Sequence, residues 1–220
     1  MSQPFVRFDH VEKSYDGKQL VVRDLNLDIV EGEFLTLLGP SGSGKTTTLM
    51  MLAGFETATS GEIYLDGRPI NAIAPEHRNI GMVFQNYALF PHMSVAENVA
   101  FPLSVRGIKG DAAMARVNKA LDKVGLSGFQ SRRPAQMSGG QQQRVAVARA
   151  LANRPRVVLA DEPTASIDTA HQDQVIDLLT STCAEHDVAL LVVTHSPEVA
   201  ARFPKRLRLE DFNRAAVHHG

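Results

Sequence analysis

Residues 33–54 read EFLTLLGPSGSGKTTTLMMLAG. A nearly continuous apolar run opens the stretch, as in a strand buried on both faces of a parallel sheet. A glycine-rich turn follows, and then a helix-forming run closed by Gly54. The turn, Gly39 to Thr46, fits the spacing G-x-x-x-x-G-K-[ST], and here it stands in the context that gives the spacing meaning: strand before, helix after. Gly42 and Gly44 let successive backbone N–H groups curl around phosphate oxygens at the positive end of a helix. Lys45 can reach the outer phosphates, and the Thr46 hydroxyl suits a magnesium ion. Gly39, Pro40, Ser41, Gly42, Ser43, Gly44, Lys45, Thr46 and Thr47 are therefore the candidate nucleotide-binding residues.

The second half of such a site is supplied by VVLADE, residues 157–162. A buried apolar strand delivers Asp161 at its carboxyl end, where it can hold Mg²⁺ through water, and Glu162 beside it can polarise an attacking water. A third segment, MSGGQQQRVAVARAL (Met137–Leu151), reads as a helix with Ser138 as its cap. Its apolar residues with Arg144 and Arg149 suggest one packed side and one solvated side. Gly139 and Gly140 open it, although each glycine costs roughly 1 kcal/mol against alanine inside a helix. The pair calls for a use that helix stability does not explain.

Working outward, FVRFDH and LVVRDLNLDIV alternate as half-buried strands, and GEIYLDG and NIGMVFQ read as further strands. From about Asn86 to Asn153 the pattern turns helical: Ser94 and Glu97 form a capping-box pair, and Met114, Val117, Leu121 and Val124 share one stripe ending at Gly125. Beyond Pro155 come a strand, a helix around His171–Glu185, the strand VALLVVTH and a short basic tail. The order implies an α/β sheet carrying an inserted helical subdomain. One unit is expected over 1–220, with 1–85 and 156–220 as the nucleotide-binding core and 86–155 as the helical part.

Composition narrows the classes. The 220 residues are 44% hydrophobic and 21% charged, ordinary globular values. With Lys+Arg 23 against Asp+Glu 24, the net charge of -1 speaks against a nucleic-acid binder relying on an overall positive field. Cys183 is the only cysteine, so a cysteine-based zinc cluster is ruled out and a small buried core residue is expected. No signal-peptide pattern and no apolar run of about 18 residues is seen, which predicts a cytosolic chain reaching a membrane only through a partner.

Taken together, these motifs resemble the ATP-binding-cassette (ABC) ATPases, the nucleotide-binding subunits of ABC transporters, over nearly the whole chain. The resemblance implies a P-loop NTPase (RecA-like) core with an N-terminal antiparallel β subdomain, ATP and Mg²⁺ as ligands, and hydrolysis in a head-to-tail dimer. Tyr15 in KSYDG is similar to the aromatic that stacks on adenine, and Gln85 after GMVF to the glutamine that approaches magnesium and water. His195 in LVVTH matches the switch histidine at the γ-phosphate, and Asp168 in TASID matches a dimer-contact loop. Ser138, Gly139 and Gly140 belong to the signature motif, with Met137 where leucine is usual, and would meet ATP held by the other protomer.

The implied partners are integral membrane permease subunits and a second copy of the chain or a relative, with no nucleic acid, on the cytoplasmic face of the inner membrane. QNYALFPHMSVAENVAFPL resembles importers of the maltose, polyamine and iron(III) group, in which Tyr87, Leu89, Phe90 and Met93 would face a helix of the membrane subunit. Those importers usually carry a further C-terminal β-rich regulatory domain, which these residues do not include. VVLADEPTASID and THSPEVAARF look more like compact lipoprotein-releasing and macrolide-export ATPases, with Ser196 and Ile167 departing from the importer pattern. Export, a non-transport ATPase acting on DNA or ribosomes, and a non-hydrolysing nucleotide module are the rival readings.

Overall fold

The computed structural model describes residues 4–167 and 169–213. Strands β1 (Val6–Ser14) and β2 (Leu20–Ile29) are the alternating segments near the start, and β3 (Phe34–Leu38) is the apolar run before the glycine-rich turn. Helix α1 (Lys45–Ala53) follows, then β4 (Ser60–Leu65) and β5 (Arg68–Pro69). Strands β2-β1-β4-β5 make an antiparallel sheet.

Strand β6 (Ile80–Val83) leads into three helices, α2 (Val95–Val105), α3 (Gly110–Lys123) and α4 (Gly139–Leu151). Then come β7 (Val157–Asp161), α5 (Thr169–Ala184), β8 (Ala189–Thr194), α6 (Pro197–Ala201), β9 (Lys205–Arg208) and α7 (Leu209–Phe212). The second sheet is parallel, in the order β6-β7-β8-β3-β9. Every residue of β7 and β8 is buried, which explains their unbroken apolar sequence. Val157 and Leu159 point into one core, shared with α1 and the antiparallel sheet; Val158 and Ala160 point into the other, shared with α2 to α5.

Register sets the location of the chemistry. Leu38 pairs with Thr194, Val193 with Asp161, and Ala160 with Val83. The carboxyl ends of β3, β8, β7 and β6 are thus level, and the residues just beyond them converge on one edge.

Three expectations need correction. Met114 is 41% exposed, and Ala113 takes its place on the buried face of α3 with Val117, Ala120 and Leu121. One residue is about 100° of helix rotation, enough to turn the side chain outward. The basic tail contains an edge strand, β9, whose Leu207 packs inward while Arg206 and Arg208 stay exposed; charged edge residues discourage further pairing. Finally, α4 has no freely solvated arginine side. Arg149 donates to the Tyr87 and Ala88 carbonyls (2.8 and 2.6 Å), and Arg144 donates to Val124 (3.3 Å). Cys183 is buried, and burial pushes its thiol up to about 12, as an inert core residue requires.

Candidate active site

The glycine-rich turn is built around backbone that side chains would obstruct. Gly44 has φ 92°, and a Cβ there would lie 2.9 Å from the Val21 carbonyl oxygen. At Gly39 a Cβ would lie 2.8 Å from Ser43 Oγ. Gly44 caps α1 without any side-chain bond, and the first turn carries no acid. Its N–H groups therefore lack the intrahelical acceptors that the helix interior enjoys. Ser43 Oγ is buried without a hydrogen-bond partner among the described residues. Open N–H groups and an unpartnered hydroxyl fit a phosphate.

Lys45 is buried, and its Nζ donates to the carbonyls of Gly39 (2.6 Å) and Pro40 (2.7 Å). Burial lowers its pKa, while the negative fields of Glu162, Asp161 and Glu210 pull the other way. Thr46 Oγ1 donates to Asp161 Oδ1 at 3.0 Å, so the two expected magnesium residues, 115 positions apart, already touch. Hard oxygen donors of this kind fit Mg²⁺. Glu162 has a left-handed backbone, φ 44°, held by its N–H donating to Val193 (3.0 Å). Its Oε1 lies 2.9 Å from His195 Nδ1, which therefore carries the shared proton when the carboxylate is ionised.

One cavity of about 280 Å³ is lined by Ser41, Gly42, Gly44, Lys45, Thr46 and Thr47 together with Gln85, Glu162 and His195. Gln85 is exposed there, and its carbonyl accepts from Ser166 Oγ at 3.3 Å. Tyr15 is 60% exposed beside this wall, its hydroxyl 3.5 Å from Thr47 Oγ1 and its ring 4.7 Å beneath Lys13 Nζ.

Ser138, Gly139 and Gly140 stand outside this cavity. Ser138 caps α4 reciprocally with Gln141 (3.3 and 3.1 Å). At Gly139 a Cβ would come 3.1 Å from the Tyr87 hydroxyl, but at Gly140 it would meet nothing within 4 Å. Packing inside this chain thus gives no reason for glycine at 140. Asp168 lies outside the described residues.

Of the four membrane-facing candidates, Tyr87 donates to the Ser166 carbonyl (3.1 Å) and Leu89 packs on the helical core. Phe90 lies 4.7 Å from the Phe101 ring, and Phe101 is 38% exposed; Met93 is half-buried. Among the described residues, no helix is long and apolar enough to cross a membrane.

Sequence reasoning missed Asn213. Its side chain is fully buried, donating to Ser43 O (3.0 Å) and Val21 O (2.9 Å) and accepting from Arg23 N–H (2.8 Å). It ties the phosphate loop to β2 from 170 residues away, and no local pattern marks it.

Comparison with known proteins gives the family to which this fold belongs. The curated relatives include the spermidine/putrescine import ATP-binding protein PotA of Vibrio cholerae, 44% identical over 207 residues, covering 94% of this chain and 55% of that protein. The PotA of Methylococcus capsulatus is 49% identical over 200 residues, covering 91% of this chain and 52% of that one. The chain spans about half the length of the curated relatives it matches. Among solved structures, a dimeric post-hydrolysis state of the ATP-binding cassette MJ0796 bound to ADP and Pi superposes with TM-score 0.83 at 36% identity, covering 92% of this chain and 93% of that chain. CbiO1 of Clostridium perfringens, part of the ABC transporter complex cbiONQ, gives TM-score 0.79 at 28% identity, covering 89% and 80%. The ABC transporter family model matches residues 22–165, from β2 through the phosphate loop and α4 to the acidic end of β7, and with it the chain belongs to the ABC transporter family of ATP-binding cassettes.

Proposed function

We propose that this chain binds ATP with Mg²⁺ and hydrolyses it in a head-to-tail pair with a second copy or a related subunit. In this reading it drives import through integral membrane permease subunits, from the cytoplasmic face of the inner membrane. Residues 86–155 serve as the helical signature unit of one cassette, and 1–85 with 156–220 as its nucleotide-binding core. One observation carries the ATPase reading: the Thr46–Asp161 bond and the Glu162–His195 bond both stand at the phosphate-loop cavity. Import is favoured over export by the spermidine/putrescine import relatives, and cargo choice belongs to the membrane partners.

The chemistry is phosphoryl transfer by positioning and charge neutralisation. The open N–H groups of the loop and Lys45 hold the phosphate oxygens, Lys45 exchanging two carbonyl acceptors for charged ones. Thr46 and Asp161, with Gln85 on the same wall, are the residues that would hold Mg²⁺, which supplies neutralisation of the transferring group's charge. His195 holds one oxygen of Glu162, leaving the other to accept a proton from water as general base. Tyr15, exposed beside Thr47, is placed to stack on a base.

A phosphate-release assay with and without Mg²⁺ tests this directly. Glu162→Gln is expected to keep ATP binding and to lose turnover by about a thousandfold, within the range for a general base. Normal hydrolysis by that variant would remove Glu162 from the role. For transport, gentle detergent extraction should recover a membrane protein with the chain; recovery of ribosomes or nucleic acid instead would overturn that part.

A further inference from the structure

A second cavity lies at the opposite end of the parallel sheet from the ATP site. It opens between α3, the last turns of α4 and α5, and the residues that enter β7 and β8, and encloses about 560 Å³. That is a small-molecule size. Its floor is apolar: Ala120, Val124, Ala148, Ala152 and Val188 are buried, with Leu151 half-buried among them.

Its rim is cationic. Arg116, Lys119 and Lys123 follow one face of α3, and Arg154 and Arg156 approach from the segment before β7. Two of these are engaged: Lys123 pairs with Glu185 (2.9 Å), and Arg156 with Glu31 (2.5 Å) and Asp66 (2.7 Å). Among the described residues, no hydrogen bond or ion pair holds the side chains of Arg116, Lys119 or Arg154. The acids in the lining are Asp187 and the Glu31 that Arg156 already holds. His186 is held between Lys123 Nζ (2.6 Å to Nε2) and the Glu185 carbonyl (2.8 Å to Nδ1), which fixes the orientation of its ring. A chain of net charge -1 thus gathers surplus positive charge around an apolar hollow.

We propose that this cavity binds a small amphipathic anion, its carboxylate on Arg116, Lys119 and Arg154 and its apolar body on Val124, Leu151 and Val188. A guanidinium fork suits a carboxylate in two-point contact, and the apolar floor discriminates against anions with no body to bury. The wall includes the last turn of α4, the helix whose first residue follows Ser138. An occupant therefore rests against the far end of the signature helix.

The test uses the 220-residue chain with ¹³C-methyl valine and leucine, titrated with decanoate, 2-naphthoate and uncharged decanol. Saturable shifts at the Val124, Leu151 and Val188 methyls are expected with at least one acid and unchanged by saturating Mg-ATP. The acid that binds more tightly tells whether the body is a chain or a ring. The double variant Arg116→Glu with Lys119→Glu should weaken that binding by about tenfold or more while keeping the melting curve and ATP binding. The proposal is overturned if neither acid moves these methyls, if decanol binds as tightly, if ATP displaces the acid, or if the double variant binds like the unaltered chain.

Discussion

Asp161 is an expensive residue at the end of a buried strand. It is 7% exposed. Burial raises its carboxyl pKa above the ordinary value; the Thr46 hydrogen bond opposes this, Glu162 adds to it, and Lys45 opposes it. A raised folded-state pKa means that the folded chain binds this proton more tightly than the unfolded chain does. The group therefore favours folding at acid pH, and that contribution is lost as pH rises through the folded value. At neutral pH the buried carboxylate destabilises the nucleotide-free protein. Asp161→Asn, which still offers an oxygen to Thr46, is expected to raise the melting temperature by about 2–4 °C at pH 7. The gain should shrink as pH falls toward about 4, the ordinary carboxylate range, and Mg²⁺-dependent nucleotide binding should weaken. Calorimetry across pH checks this; an unchanged or lower melting temperature at neutral pH would show that burial is not the dominant effect.

The phosphate loop is an element held by distant parts of the chain. Asn213 satisfies the Ser43 and Val21 carbonyls and the Arg23 N–H with one buried amide. Asn213→Ala leaves those backbone groups unpaired, so a loss of about 2–4 kcal/mol by urea melting is expected. A weaker ATP dissociation constant should accompany it as the loop loses its tie. Asn213→Asp keeps the acceptor for Arg23 but loses both donors, and should not restore either property. Wild-type stability and ATP affinity in the alanine variant would sink this assignment. Such ties explain what the sequence revealed and what it hid. Strand β3, the loop and α1 were legible because their residues are contiguous and each type has a local reason to be there. Thr46 and Asp161 were legible as two local motifs. Asn213 was not, because its bonds join segments 170 and more residues apart. Arg149 looked like a solvated helix face because periodicity counts charge and cannot see that Tyr87 and Ala88 present carbonyls to it. Those two residues have left-handed backbone, φ 57° and 48°, which no composition rule announces.

At the scale of the whole molecule, one sheet edge collects the groups proposed to hydrolyse ATP while α4 presents its first turn outside that cavity. The level strand ends were readable only as a fold expectation; the register that makes them level belongs to the assembled sheet. Gly140 sharpens the point, since a Cβ there meets nothing within 4 Å and no left-handed φ demands glycine. A solvent-exposed helix N-terminus with closely approachable backbone suits an anion brought by another molecule, which is the proposed head-to-tail partner's ATP. Ser138→Arg tests this by bulk, but it also removes the cap bond to Gln141, which is worth roughly 1 kcal/mol. Ser138→Asp separates the two effects. Aspartate caps as well as serine and complements the helix dipole, so monomer stability should hold, yet its charge repels a phosphate. On a Glu162→Gln background, size-exclusion with light scattering should show an ATP-dependent dimer. Both Ser138 variants should remain monomeric with ATP affinity within about twofold of the parent, a difference of under 0.5 kcal/mol. If the aspartate variant dimerises with ATP as the parent does, Ser138 does not face the partner's nucleotide. If instead the monomer loses ATP binding, the signature turn belongs to the chain's own site and the head-to-tail arrangement falls.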